Sequence, residues 1–212
     1  TILFAAGNSG TDSNSNGEID DDSLGSPATG KNVITVGASE NNRPIVYTDA
    51  GSWSPSSTDN ISGMATFSSR GPTDDGRQKP DISAPGTYIL STKSNYARAA
   101  TECGWGYLPI SDANNAHYCY KGGTSMATPL TAGVAALLYQ HLYDNVGHEN
   151  VSSSLIKAIM TANANDMMGQ YSDVTNGAGE DAPNYHEGWG RLNIRAAVDT
   201  SFVDNEGVAT GE

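Results

Sequence analysis

Gly122-Gly123-Thr124-Ser125-Met126-Ala127-Thr128-Pro129 leads into TPLTAGVAALLYQHLY, residues 128–143. This run is apolar at nearly every helical position, and Ala132, Gly133, Ala135 and Ala136 keep the cylinder narrow. The pattern predicts a helix over Thr128–Tyr143, buried on every face and closely approached by neighbouring backbone. A buried helix needs layers around it, and short β-branched runs supply them. Ile2–Ala6, Val33–Val36, Ala65–Phe67, Ile82–Ala84 and Tyr88–Thr92 read as strands. A second helix is expected over Val151–Asn163, with Ser152 or a neighbour as N-cap and one apolar stripe at 151, 155, 156, 159, 160 and 162. A third, short helix runs from about Asn193 to Asp199. Strands alternating with helices give an α/β fold, a largely parallel sheet flanked by helices.

Between these segments lie three stretches with loop composition: Thr11–Gly30, Asn41–Gly63 and Tyr96–Ala116. The whole chain has 212 residues, 11 basic against 24 acidic, and a formal charge of −13. That length fits one domain or most of one. Counting glycine in place of tyrosine raises the apolar fraction to about 43%, close to the globular range, so general disorder is excluded. The acidic balance argues against nucleic acid and against an anionic membrane surface, both of which need a basic footprint. No apolar run approaches the ~18 residues of a transmembrane helix. Thr1 opens directly into an apolar segment without a basic leader, so no signal peptide is expected in this stretch.

Ser125 follows a Gly-Gly turn at the start of the helix. A helix N-terminus leaves backbone N–H groups unpaired, and these can stabilise an oxyanion; the glycines admit a substrate backbone. The plainer alternative is that Ser125 or Thr124 is a helix N-cap. The pattern differs from the G-x-S-x-G elbow, because Ala127 stands where that motif has Gly. A second signal, Phe4-Ala5-Ala6-Gly7-Asn8-Ser9-Gly10, closes the first strand. Ligands bind beyond the carboxyl ends of strands in open α/β sheets. An amide there can donate to a developing oxyanion, and Ala-Ala-Gly offers a flat strip for an extended peptide. Taken alone, Gly-Asn after a strand is equally a turn.

In order, AAGNSG, SPAT, NVITVGA, FSSRGPTDDGRQKPDISAPG, GGTSMATP and GWGRLN resemble the subtilisin-like serine peptidases, the subtilases, over roughly Thr1–Val203. The resemblance is to the larger secreted branch, in which a β-sandwich follows the catalytic domain. It implies an extracellular serine endopeptidase acting on proteins or peptides, with Ser125 as acylating nucleophile and Asn8 as side-chain oxyanion donor beside the Ser125 N–H. Ala5, Ala6, Gly7, Gly25 and Thr124 would meet substrate, and Ser26-Pro27 falls where the family has a cis proline. The family's Asp and His motifs precede the Asn strand, and neither is present here. His117, His141, His148 and His186 lie outside any such motif and read as surface or satisfied core residues. Residues 1–199 are therefore expected to be the C-terminal half of a catalytic domain, with the N-terminal half as its partner. Residues 200–212 would be a linker or the start of a following β domain, extended and without helix. A reading from another class is a non-catalytic calcium-binding or interaction domain that keeps the subtilase half-fold.

Asp12-Ser13-Asn14-Ser15-Asn16-Gly17-Glu18-Ile19-Asp20-Asp21-Asp22-Ser23 carries oxygen ligands at positions 1, 3 and 5 and glycine at 6, the pattern of a calcium loop. Asp12, Asn14, Asn16, Glu18, Asp20 and Asp22 are the candidate ligands, and Ser23 replaces the usual twelfth-position Glu. A solvated acidic loop is the alternative. Cys103 and Cys119 bracket a polar loop and, in a secreted family, read as one disulfide contributing up to ~3 kcal/mol. Two free buried thiols are the alternative.

Overall fold

The computed structural model describes residues 1–48, 51–94, 103–109, 111–113, 117–167 and 181–199. Its strands, in chain order, are β1 (Leu3–Ala5), β2 (Ile34–Ser39), β3 (Val46–Thr48), β4 (Gly51–Trp53), β5 (Ile82–Pro85), β6 (Ile89–Thr92) and β7 (Tyr118–Lys121). The helices are α1 (Thr124–Gln140), continued by a π-helical segment His141–Val146, α2 (Ser153–Ala162) and α3 (Ile194–Asp199). β1, β2 and β5 form a parallel sheet in that order, with Leu3 opposite Ile34 and Val36 opposite Ile82. Two antiparallel pairs, β3–β4 and β6–β7, stand apart from it.

The α/β architecture holds, and β2 is buried along its whole length, as a central parallel strand should be. α1 packs across β1, β2 and β5 and touches α2 and α3. The core gathers Val36, Ala38, Ile82 and Ala84 of the sheet with Ala127, Ala135 and Leu138 of α1 and Ile156, Ile159 and Met160 of α2. α2 starts where its cap predicts: the Ser152 hydroxyl accepts the Leu155 N–H at 3.1 Å. Asn193 caps α3 in the same way, accepting from Ala196 N–H at 3.0 Å.

Several expectations are corrected. Ala65–Phe67 is not a strand. It closes a turn, with Ser68 N–H on the Ala65 carbonyl at 3.0 Å; Arg70, wholly buried, also reaches the Ala65 carbonyl at 3.4 Å, and Gly10 N–H takes that of Phe67 at 2.9 Å. β3 and β4 lie inside the stretch with loop composition at 41–63. α1 begins at Thr124 and not Thr128, enclosing Pro129, whose missing N–H leaves the Ser125 carbonyl without its i+4 donor. α1 is also not buried all round. Thr124, Ala127, Thr131, Ala135 and Leu138 form one buried stripe, whereas Leu137 is 55% and Tyr139 48% exposed. The described elements cover only that stripe. Residues 200–212 lie outside the described chain.

Under the sheet, Asp81 accepts from Lys79 Nζ at 2.6 Å, Lys157 Nζ at 2.7 Å and the Thr35 N–H at 2.7 Å. Both ammonium groups also donate to the Val33 carbonyl, so the cluster ties β2, β5 and α2 together. Among the described residues no helix is long and apolar enough to cross a membrane.

Candidate active site

The carboxyl end of β1 turns sharply at Gly7, whose φ of 110° suits glycine and where a Cβ would meet Ser69 Oγ at 2.7 Å. Three bonds fix the turn: Ser69 N–H to Gly7 O at 2.9 Å, Ser9 N–H to Ser69 Oγ at 3.0 Å, and Gly10 N–H to Phe67 O at 2.9 Å. They present Asn8 at the surface, facing the start of α1. Gly123, with φ of 144°, caps that helix; a Cβ there would touch the Asn8 amide.

The link between the two segments is specific. Asn8 Oδ1 accepts from the Thr124 N–H at 2.9 Å and the Thr124 hydroxyl at 3.0 Å, and Gly7 N–H donates to Thr124 Oγ1 at 3.3 Å. With its oxygen so occupied, the Asn8 amide keeps Nδ2 as its donor, beside Gly123. Among the first N–H groups of α1, Thr124's goes to Asn8, and those of Met126 and Ala127 go to the Gly123 carbonyl. The Ser125 N–H meets no acceptor among the described residues, and its side chain is exposed. A tetrahedral oxygen bound to a carbon on Ser125 Oγ could therefore take hydrogen bonds from Asn8 Nδ2 and Ser125 N–H together.

Ala5, Ala6 and Gly7 run into this point, but the Ala6 side chain is buried, so it offers backbone and not surface. Gly25 is exposed with open space around it. A cleft of about 360 Å³ lies on the side of Ser125 toward β6 and β7, lined by Lys121, Met126, Pro129, Leu130 and residues of β6.

Among the described residues no histidine hydrogen-bonds Ser125. His141 lies sixteen residues further along the helical segment, about 24 Å by helical rise. His117 is exposed, His148 is buried with its N–H on the Leu142 carbonyl, and His186 Nδ1 accepts from Arg70 Nε at 3.1 Å. Burial and the Arg70 guanidinium lower His186 to about 4.

In the acidic loop, Asp12 accepts from Asn16 N–H at 3.1 Å and Gly17 N–H at 2.9 Å, Asn14 from Asn16 N–H, Asn16 from Glu18 N–H, and Asp20 from Ser13 N–H. Gly17 has φ of 92° at the sharp turn. These successive turns fit a wrapped cation loop with amide and carboxylate donors. Among the described residues no three His, Cys, Asp or Glu side chains group to hold a metal, so such a site would depend on Asn14 and Asn16.

Cys103 and Cys119 are joined, their Cα atoms 5.7 Å apart, and Ser26–Pro27 is cis. The sequence reading missed Trp105, two residues after Cys103. Its indole lies on Gly122, where a Cβ would fall inside the ring, and it meets Phe67 and Tyr88 edge-on. An aromatic residue inside a cysteine-bracketed loop before the nucleophile turn was the available signal.

Comparison with known proteins identifies the family. The sequence model of the Subtilase family matches residues 1–190. The chain is 37% identical over 166 residues to the "Serine protease/ABC transporter B family protein tagD" of Dictyostelium discoideum, covering 70% of this chain and 9% of that protein. It is 40% identical over 139 residues to "Serine protease AprX" of Bacillus subtilis, covering 66% of this chain and 26% of the relative. Among solved structures, one titled "S41 Psychrophilic Protease" is similar with a TM-score of 0.55 and 26% identity, over 91% of this chain and 48% of that one. The Clostridium perfringens CspB protease shares the fold, with a TM-score of 0.53 and 24% identity over 84% of this chain and 28% of that one. The chain thus spans a minor part of the length of these relatives.

Proposed function

The chain belongs to the subtilase family, and from that premise we propose that it carries the acylating serine and the oxyanion donors of a serine endopeptidase. Ser125 Oγ attacks the scissile carbonyl carbon. Its proton passes to a histidine base, oriented by an aspartate, supplied by the preceding part of the catalytic domain. The carbonyl oxygen takes up the negative charge and is held by Asn8 Nδ2 and Ser125 N–H. Collapse breaks the C–N bond, the leaving amine takes the proton from the histidine, and the acyl ester on Ser125 is then hydrolysed. The observation that carries this reading is the double hydrogen bond from Thr124 to Asn8 Oδ1, which orients the Asn8 amide beside the free Ser125 N–H.

The exposed apolar residues Leu130, Leu137 and Tyr139 of α1 and Tyr143 of the π-helical segment, with the open edge of β1 among the described strands, support the N-terminal half as partner. The disulfide supports an extracellular, oxidising setting. The loop at residues 12–22 is read as a structural calcium site, held by Asp12, Asn14, Asn16, Asp20 and the Glu18 carbonyl, with Glu18 and Asp22 side chains as further candidates. Peptide hydrolysis tests the main reading. The complete enzyme should cleave a generic peptide substrate and lose that activity with Ser125→Ala, while residues 1–212 alone should show none. Robust activity from the chain alone would make one of its own histidines the base. A complete enzyme that binds protein but cleaves nothing would favour the non-catalytic reading.

A further inference from the structure

We infer that Trp105 is a positioning residue for the oxyanion hole: held by the Cys103–Cys119 loop, its indole wedges the Asn8 loop and the nucleophile turn at a fixed separation. This rests on the peptidase reading of Asn8 and Ser125 and adds to it. The two donors come from segments far apart in sequence, and their direct link is a few partly buried hydrogen bonds through Thr124. Bonds of that kind are individually weak in water. A catalytic donor pair must nevertheless be held to about 0.5 Å, which calls for packing behind it.

Trp105 provides that packing on both sides. On one side its ring meets Phe67 at 6.0 Å and 88°, and the Phe67 carbonyl accepts the N–H of Gly10, two residues beyond Asn8. On the other side the ring lies against the backbone of Gly122, three residues before Ser125, and leaves no room for a side chain there. Trp105 therefore touches the supports of both donors. Its own position is over-determined. The disulfide fastens Cys103 to β7, Gly106 N–H closes the turn onto the Cys103 carbonyl at 3.0 Å, and Tyr120 N–H takes the Gly106 carbonyl at 2.9 Å. Tyr88 meets the ring edge-on at 4.6 Å. A wedge anchored in this way transmits its placement to Gly122 and Phe67 directly.

The test is a double-mutant cycle in the complete enzyme between Trp105→Ala and Asn8→Ala, with Trp105→Phe as the milder variant. Trp105→Ala should lower kcat between about ten- and a hundredfold, the scale of a small misplacement of catalytic groups. KM should stay within about twofold, the signature of a ring that acts on the donors and not on ground-state substrate binding. In the Asn8→Ala background the same substitution should cost less than about threefold, since one donor it positions is already gone. Trp105→Phe should recover most of the loss. Effects that multiply fully, or a change confined to KM, would overturn the inference. If Trp105→Ala does not fold, Trp105→Leu, which keeps apolar bulk but loses the planar contact with Gly122, carries the cycle, and full additivity there has the same consequence. Labelling of wild-type Ser125 by a fluorophosphonate separates the two levels: labelled enzyme with an additive cycle removes only the role of Trp105, and unlabelled enzyme removes the peptidase reading as well.

Discussion

Asn8 Oδ1 accepts two hydrogen bonds from Thr124, 2.9 Å from its backbone N–H and 3.0 Å from its hydroxyl, across 116 residues of chain. One side chain thereby orients the other, and in the proposed mechanism the amide nitrogen of Asn8 donates where negative charge develops. Asn8→Ala should lower kcat by about 10²–10³ with KM little changed; that magnitude is taken over from the corresponding amide of subtilisin. Thr124→Val keeps the backbone bond and loses the hydroxyl, so it should cost about fivefold, the equivalent of one hydrogen bond of roughly 1 kcal/mol. Steady-state kinetics on the complete enzyme checks both. An Asn8→Ala enzyme as fast as wild type would contradict the assignment.

Asp81 neutralises two ammonium groups, and Lys79 is nearly inaccessible to water. Burial lowers the Lys79 pKa, against the opposing pull of Asp81. Asp81→Asn leaves two cations against one neutral amide, and should destabilise the protein by about 3 kcal/mol or more. Urea denaturation measures this, and a loss below about 1 kcal/mol would show that the cluster is dispensable.

His186 gives a pH signature. Unfolded, the imidazole gains its proton near its ordinary pKa of 6.5; folded, it does so only at about 4. Between those values the unfolded state binds more protons, so the contribution of His186 is fully present above pH 6.5 and is lost as pH falls toward 4. Up to about 3 kcal/mol is at stake, by the usual conversion of pKa units. Buried Glu187, whose pKa burial raises against hydrogen bonds from Asn184 and Met167, works in the opposite sense. The measurement is therefore the difference in melting temperature between wild type and His186→Asn from pH 7 to 4. Wild type should lose its advantage or be outlasted at the acid end; parallel curves would contradict the prediction.

Calcium should raise the melting temperature of the complete enzyme where magnesium does not, because the loop offers several oxygens in a flexible wrap and no rigid octahedron. Asp12→Ala removes the acceptor of two loop N–H groups together with the first ligand, and should abolish the increment. An equal rise with both ions, or one that survives Asp12→Ala, would place the effect elsewhere.

Much of this was legible in the chain because it is local. β2 and β5 announce themselves as short β-branched runs and Ser152 marks the start of α2, whereas α1 starts one turn before the apolar run at Thr128 from which the sequence predicts it. The hairpin β3–β4 was hidden because Val46-Tyr47-Thr48 is too short to show alternation among Ser, Asn and Asp. Ala65–Phe67 reads as a strand because an apolar and β-branched triplet stands there, but a local turn closes on it, with Ser68 N–H on the Ala65 carbonyl at 3.0 Å and the Arg70 guanidinium, five residues on, at the same carbonyl. Burial of α1 was overestimated because its apolar face is covered on one stripe only by the described elements. Asn8 and Ser125 could be named from the sequence through family resemblance, but the bond from Thr124 and the wedge of Trp105 depend on packing between distant segments.

The most direct measurement is reaction of the complete enzyme with a fluorophosphonate, followed by peptide mapping of the adduct. Phosphorylation-like attack at phosphorus needs an activated serine and an oxyanion hole, and it leaves a covalent mark on the residue that supplied the oxygen. The mark should fall on Ser125, at a rate lowered by Asn8→Ala and absent in residues 1–212 alone. An adduct on another serine, or none on Ser125 in an enzyme that still cleaves peptides, would contradict the account.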